Sequence, residues 1–332
     1  MNRRAFTASV GAALVAVPGV ARATGGLKVG GPVREPVVRI LLASGDNIPA
    51  AQQLDAWYFS WNGRTYRGAF ALVSLSGNKQ GLIDFVPLDS YLYGVVSAEV
   101  SPAWPSEAQK AQAILARTYV TTKLRPDKPY DVVATDSDQH YGGIQGESVE
   151  GRAAVDATAG KLVFYAQAPA QVAYSSCCGG RTADPAEVWR SSVPYLRSFA
   201  DPHCAGTPEY RWDERVSYDA VRSSLDLPRA GSLRAVELRH LGPSGRPKEL
   251  AFTGSSATVE VETSAFRAAA GLKAVRSTFL RGVTPAGDDL IVAGNGRGHG
   301  VGMCQWGARA MAAGGASAAD IIAFYFPRTA IV

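Results

Sequence analysis

The stretch PLDSYLYGVVSAEVSPAWPSEAQKAQAILARTY, residues 87–119, decides how this chain is read. Leu88, Leu92 and Val95 are spaced by four and three residues, an apolar stripe along one helix. Glu99 is the next position on that stripe, about 20° around the axis from Leu88 at 100° per residue. A carboxylate so placed is either paired or raised in pKa. Pro102 and Pro105 end this helix and start a second, which leaves Glu99 near a helix terminus at a turn. A partly desolvated acid there suits general acid/base chemistry. The competing reading is a structural ion pair with Lys110 or Arg117, since such networks also perturb acids.

Around this helical pair the chain is rich in strands. Residues 36–44 (PVVRILLAS) and 57–75 alternate apolar and polar side chains, and Asn62-Gly63 marks a hairpin turn. Residues 131–146 (DVVATDSDQHYGGIQG) are polar and glycine-rich, hence a loop. Strands are expected at 162–165 and 172–175, and alternating segments recur through 209–280. Ser317 to Asp320 reads as a capping box before a short helix. Strand-rich and helix-rich stretches are segregated, which predicts an α+β fold rather than a doubly wound sheet. The expected divisions are a leader (1–23), a β-rich segment (24–84) and a main region (85–332) with a strand-rich insertion at about 209–290.

The leader MNRRAFTASVGAALVAVPGVARA has paired arginines, a weakly apolar run and a small-x-small end at residues 21–23. Arg3 and Arg4 followed by Phe6 suggest twin-arginine export. The run is short for a membrane span and is broken by Pro18, so no stable membrane anchor is expected after cleavage. Cleavage removes Arg3, Arg4 and Arg22 and no acid, so the formal charge of +5 becomes +2. With no basic run left, nucleic acid is excluded as a partner, and a neutral or weakly charged polymer such as a glycan fits better. An exported, periplasmic or cell-wall-associated protein is expected.

Four cysteines, Cys177, Cys178, Cys204 and Cys304, in an exported chain point to disulfides. Adjacent Cys177 and Cys178 would make a strained pair, so each is expected to join Cys204 or Cys304, with Cys178–Cys204 preferred. The alternative is a metal site drawn from these residues with His203 and His299. Their spacings match no zinc template, so no metal and no cofactor is expected.

Glycines at 294, 296, 298, 300 and 302 alternate with Asn295, Arg297, His299 and Val301. In an extended chain one face would be bare, open to a substrate or to another backbone. Ser176 beside Cys177 invites a nucleophile reading with His299 as base, but no GxSxG elbow surrounds it. Gln139 and Tyr141 suit glycan contact through an amide and a ring face, the alternative for Tyr141 being ordinary core packing.

Taken together, residues 87–119, 138–143 (DQHYGG), 154–182, 193–204 (VPYLRSFADPHC), 252–271 and 296–315 (GRGHGVGMCQWGARAMAAGG) resemble the stage II sporulation protein D (SpoIID/LytB) family of cell-wall enzymes. The resemblance implies a lytic transglycosylase that cuts peptidoglycan between N-acetylmuramic acid and N-acetylglucosamine, acting on peptide-free glycan. It implies Glu99 as the catalytic acid, with substrate or active-site contacts from Lys110, Gln112, Arg117, Gln139, Tyr141, Ser176 and His299. Peptidoglycan strands are the implied partner, with other cell-wall hydrolases as further partners. Some members bind zinc through His and Cys near the loop of Gln139. Here Tyr141 follows His140 and no cysteine precedes Cys177, so that site does not carry over.

One acid is enough for the implied reaction. Hydrolytic glycosidases use two carboxylates. In a lytic transglycosylase the sugar's own C6 hydroxyl attacks the anomeric carbon, so no water needs activating. Asp136 and Asp138 are the candidates for a second carboxylate, which would make the enzyme hydrolytic. The alternative function is a non-catalytic glycan binder that modulates a cell-wall amidase.

Overall fold

The computed structural model describes residues 35–332. The leader and its cleavage site lie outside them. The fold is α+β, with several small sheets and separate helical stretches. Among the described residues no helix is long and apolar enough to cross a membrane.

The chain divides into two compact units. The first holds the residues up to Pro102 together with Val120–Gly160, and the second holds Ala103–Tyr119 with Lys161–Val332. In the first unit a four-stranded sheet runs in the order Ala69–Ser74, Gln80–Pro87, Val37–Gly45, Val132–Val133. Its first three strands are antiparallel and the last pairs parallel. Gln80–Pro87 has partners on both sides, and its sequence QGLIDFVP is correspondingly a near-continuous buried run. Asn62 and Gly63 turn the hairpin between Tyr58–Trp61 and Arg64–Arg67, both with positive φ (48° and 73°), as a type I′ turn requires.

Helix α1 spans Leu88–Glu99 and buries Leu88, Leu92 and Val95 together with Tyr91 and Val96. It stops at Glu99 because Val100 turns extended, its N–H capping the Val96 carbonyl. Helix α2 spans Ser106–Lys123 and opens after Pro105, whose carbonyl accepts from Ala108 N–H at 3.0 Å. Ala111, Ile114 and Leu115 of α2 join the core of the second unit.

That second unit has two apolar clusters. One gathers Ile114, Leu115, Val301, Met303, Tyr325 and Phe326 with all four cysteines. The other fills residues 211–295, where the sheet Arg211–Ser217, Asp289–Asn295, Leu280–Ala286 and the sheet Leu233–Leu241, Pro247–Gly254, Thr258–Glu262 enclose Trp212, Phe252 and Phe266. Ser317 and Asp320 form the expected capping box of the helix Ala318–Tyr325.

The glycine-rich tail is not an extended strand. The strand ends at Asn295, and Gly296, Gly298, Gly300 and Gly302 all take positive φ between 71° and 97°. A Cβ at Gly296 would lie 2.4 Å from the Cys177 carbonyl oxygen, and one at Gly302 would lie 2.1 Å from that of Ala173. The close approach is therefore to backbone. Cys177 bridges to Arg297, and Tyr174–Ser175 pairs parallel with Met303–Cys304.

Candidate active site around Glu99

Glu99 is half-buried at the last position of α1. The backbone N–H of His140 donates to its Oε1 at 3.0 Å. The loop that supplies this donor is held on α1 by close backbone contacts. Gly142 N–H donates to the Gly94 carbonyl at 3.2 Å. A Cβ at Gly94 would lie 2.7 Å from the Tyr141 ring, and one at Gly146 would lie 3.0 Å from the Gly94 oxygen. Glycine inside a helix costs up to about 1 kcal/mol relative to alanine, and here it lets the loop reach the helix end.

Beneath the loop lies a buried polar network. Tyr91 donates to Gln139 Oε1 and Tyr141 donates to Asp84 Oδ2, each at 3.1 Å. The Tyr141 ring packs against Tyr91 and Tyr66 at centroid distances of 5.1 and 5.9 Å. Gln139 and Tyr141 are both buried, so the structure gives them protein partners and packing where sequence suggested glycan contact. Burial pushes the Asp84 carboxyl well above the usual carboxylate range, against the pull of the Tyr141 hydrogen bond. Its Oδ1 has no hydrogen-bond partner. Asp84 escaped notice in the sequence, although an acid within the apolar run GLIDFV is a visible signal.

The other acids near Glu99 in sequence patterning are otherwise engaged. Asp138 Oδ2 accepts from Val133 N–H at 2.9 Å, and its Oδ1 lies 3.8 Å from Lys123 Nζ. The Asp136 side chain is 93% exposed and lies 3.3 Å from His140 Nδ1. The loop offers no thiol, so the zinc ligands of some family members are not reproduced here. A separate pocket of 310 Å³ in this unit is lined by Trp57, Tyr58, Arg67 and Tyr93, a set that sequence reading did not single out.

The remaining candidates lie in the second unit. Lys110 pairs with Glu107 at 2.7 Å, and Glu107 Oε2 accepts from Ala318 N–H at 2.8 Å. The Lys110 hydrogen bond first, and the Ala318 N–H second, hold the Glu107 carboxyl below its usual range. Gln112 is buried, with its Oε1 accepting from Gln305 Nε2 at 3.3 Å. Arg117 is a wholly buried guanidinium. Ser176 is half-buried, and its carbonyl accepts from Trp306 N–H at 3.0 Å. His299 accepts from Val301 N–H on Nδ1 at 3.0 Å, gives its other ring nitrogen to the Tyr174 carbonyl, and stands 5.0 Å from the Trp189 ring. Burial, with Arg246 and Arg267 nearby, lowers it to about 4, so it is neutral at pH 7 with both nitrogens engaged.

The expected disulfides are not formed. All four cysteines are free and buried, and Cys178 Sγ lies 3.6 Å from Cys204 Sγ, beyond bonding distance.

Comparison with known proteins gives these geometries a context. Residues 76–165, which carry Asp84, α1, Glu99 and the Gln139 loop, match the family model described as stage II sporulation protein. An uncharacterized protein of Brachyspira hyodysenteriae is 30% identical over 82% of this chain and 74% of its own length. The amidase enhancer of Bacillus subtilis is 31% identical over 72% of this chain, a match that spans 40% of that protein. Stage II sporulation protein D of Bacillus subtilis is 27% identical over 75% of each chain. The chain belongs to the stage II sporulation protein D family.

Proposed function

We propose that this protein cleaves the glycan strands of peptidoglycan between N-acetylmuramic acid and N-acetylglucosamine, as a lytic transglycosylase with Glu99 as its acid and base. Family membership supports a cell-wall role. The observation that carries the finer reading is a single half-buried carboxylate, fixed by the His140 N–H, beside acids committed elsewhere or lying in solvent.

With one carboxylate the chemistry runs in two proton movements. Glu99 gives its proton to the glycosidic oxygen as the bond to the anomeric carbon breaks. The resulting carboxylate takes the proton of the sugar's C6 hydroxyl as that oxygen closes a 1,6-anhydro ring. No water is activated on the opposite face, which is where a hydrolytic enzyme places its second acid. The carboxylate is half-buried and held in place by the His140 N–H. Gln139 and Tyr141 serve this reading as supports that fix the loop, through Tyr91 and Asp84.

Incubation of the purified chain with peptide-free glycan should release products with 1,6-anhydro ends, detectable by mass spectrometry. Glu99→Gln should release none. Reducing ends would reject the anhydro route, and full activity of Glu99→Gln would move the acid elsewhere. The relative named as an amidase enhancer favours a second reading, in which the protein binds glycan and modulates an amidase. In that case it would release nothing alone and would raise the rate of an added amidase.

A further inference from the structure

Three thiols and a carboxylate, brought from separate stretches of the chain, meet in the core of the second unit. Cys178 follows the strand Tyr174–Ser175, and Asp201 and Cys204 lie together in a turn. Cys304 ends the strand Met303–Cys304 and caps the helix Gln305–Ala313. One ligand atom from each of the four lies within 4.8 Å of the others, and all four residues are buried. We propose that Cys178, Cys204, Cys304 and Asp201 form a structural site for a tetrahedral divalent metal, of which Zn²⁺ is the ion this donor set selects.

The spacing fits an ion better than a covalent bond between sulfurs. Cys178 Sγ is 3.6 Å from Cys204 Sγ and 3.2 Å from Asp201 Oδ2. Sulfur atoms bound at about 2.3 Å in a tetrahedron are about 3.8 Å apart, whereas a disulfide needs about 2.05 Å. Soft thiolates in a closed, four-donor arrangement select zinc over calcium or magnesium, and the lack of any exposed ligand makes the site structural.

The surroundings are those of a thiolate site. Cys178 N–H and Gly307 N–H both donate to Cys304 Sγ, at 3.2 and 3.4 Å, and the second comes from the helix N-terminus. Asp201 is oriented from both sides, Tyr325 donating to Oδ2 at 2.8 Å and His203 N–H to Oδ1 at 3.0 Å. Three thiolates and a carboxylate around Zn²⁺ would leave a net charge of −2. The buried Arg246 guanidinium, donating to the Cys178 carbonyl at 3.0 Å, supplies a compensating positive charge. Cys177 is not one of these four, although its thiol hydrogen-bonds Cys204 and Cys304 as well as lying 4.0 Å from Thr207 Oγ1, and neither His203 nor His299 contributes a ring nitrogen. Binding would release the protons of the thiols that become ligands.

The test is a titration of the full chain, purified under reducing conditions and stripped by a chelator, with Co²⁺ alone. The expected result is one bound Co²⁺ with a sulfur-to-cobalt charge-transfer band and intense visible bands of tetrahedral coordination, displaced by Zn²⁺. Cys204→Ser should lose these bands. Asp201→Asn should weaken Co²⁺ binding by about tenfold or more. Cys177→Ser, which replaces a thiol beside Cys204 and Cys304 by another hydrogen-bonding group, should retain the Co²⁺ bands. Near-ultraviolet circular dichroism of each variant identifies any that fails to fold, and Asp201→Asn and Cys177→Ser then carry the test. A folded, reduced chain without thiolate bands overturns the proposal, as does a Cys178–Cys204 disulfide in the isolated protein. Loss of binding in Cys177→Ser with retention in Asp201→Asn overturns the assigned ligands.

Discussion

The backbone N–H of His140 donates to Glu99 Oε1 at 3.0 Å, while the His140 ring itself is half exposed. The residue thus contributes to the candidate site through its main chain. A hydrogen bond to a charged acceptor contributes about 1.5–3 kcal/mol, or roughly 10- to 100-fold in rate when lost at the reacting group. His140→Pro removes the donor and should lower glycan cleavage by about that factor, with kcat falling more than KM rises. His140→Ala keeps the N–H and should retain activity within about threefold. Equal losses in the two variants would assign the role to the imidazole.

Gly94 should be intolerant of even one methyl group. Its Cβ would meet the Tyr141 ring at 2.7 Å and the Gly143 carbonyl oxygen at 3.1 Å. Overpacking of this kind costs about 1–3 kcal/mol, against a helix-propensity gain of up to about 1 kcal/mol. Gly94→Ala should therefore destabilise the protein by about 1–2 kcal/mol in urea denaturation. It should also reduce cleavage, because the loop that holds Glu99 must shift. A gain in stability would show that the loop yields freely.

Asp84 makes stability depend on pH in a definite direction. Its folded pKa is raised above the ordinary 3.8 by burial. Above 3.8 the unfolded chain loses this proton while the folded chain keeps it. The contribution is therefore complete in acid and is lost as pH rises through the folded value. Asp84→Asn keeps an acceptor for Tyr141 and removes the titration. Unfolding free energies measured from pH 5 to pH 9 should shift in favour of the variant as pH rises. A constant difference would mean that Asp84 is ionised in both states.

His299 acts in the opposite direction. Its folded value of about 4 lies below the ordinary 6.5, so the unfolded chain takes up a proton that the folded chain refuses. Stability present at neutral pH should be lost as pH falls from about 6.5 towards 4, by roughly 3 kcal/mol at most. The charges of Arg246 and Arg267 oppose its charging, and the Trp189 ring, tilted 52° at 5.0 Å, serves as a fluorescent reporter. His299→Gln can accept from Val301 and donate to Tyr174 without titrating. It should flatten the acid limb of the Trp189 transition relative to the wild-type protein.

Much of this was legible in local patterning. Spacing placed Leu88, Leu92, Val95 and Glu99 on one side of a helix, and the prolines marked where α1 ends and α2 begins. Asn62-Gly63 announced a type I′ hairpin, and Ser317 to Asp320 a capped helix. Each of these signals is written within a few residues, because hydrogen bonds and steric preferences at that range act before any distant contact forms. The α+β class followed from the same periodicities.

Other features exist only because distant segments pack together. Alternating glycines read as an extended strand, yet positive φ at Gly296 to Gly302 threads the tail against Ala173 and Cys177, and sequence does not say which backbone will approach. Gln139 and Tyr141 are polar enough to face a sugar, but Tyr91 and Asp84 claim them in the interior. The cysteines looked like disulfide partners, and three of them converge on Asp201, which no spacing rule joins to them. Local sequence determines what each segment does by itself. Burial, partner choice and the meeting of chemical groups are set by the summed packing of segments far apart in the chain, and those the tertiary structure alone decided.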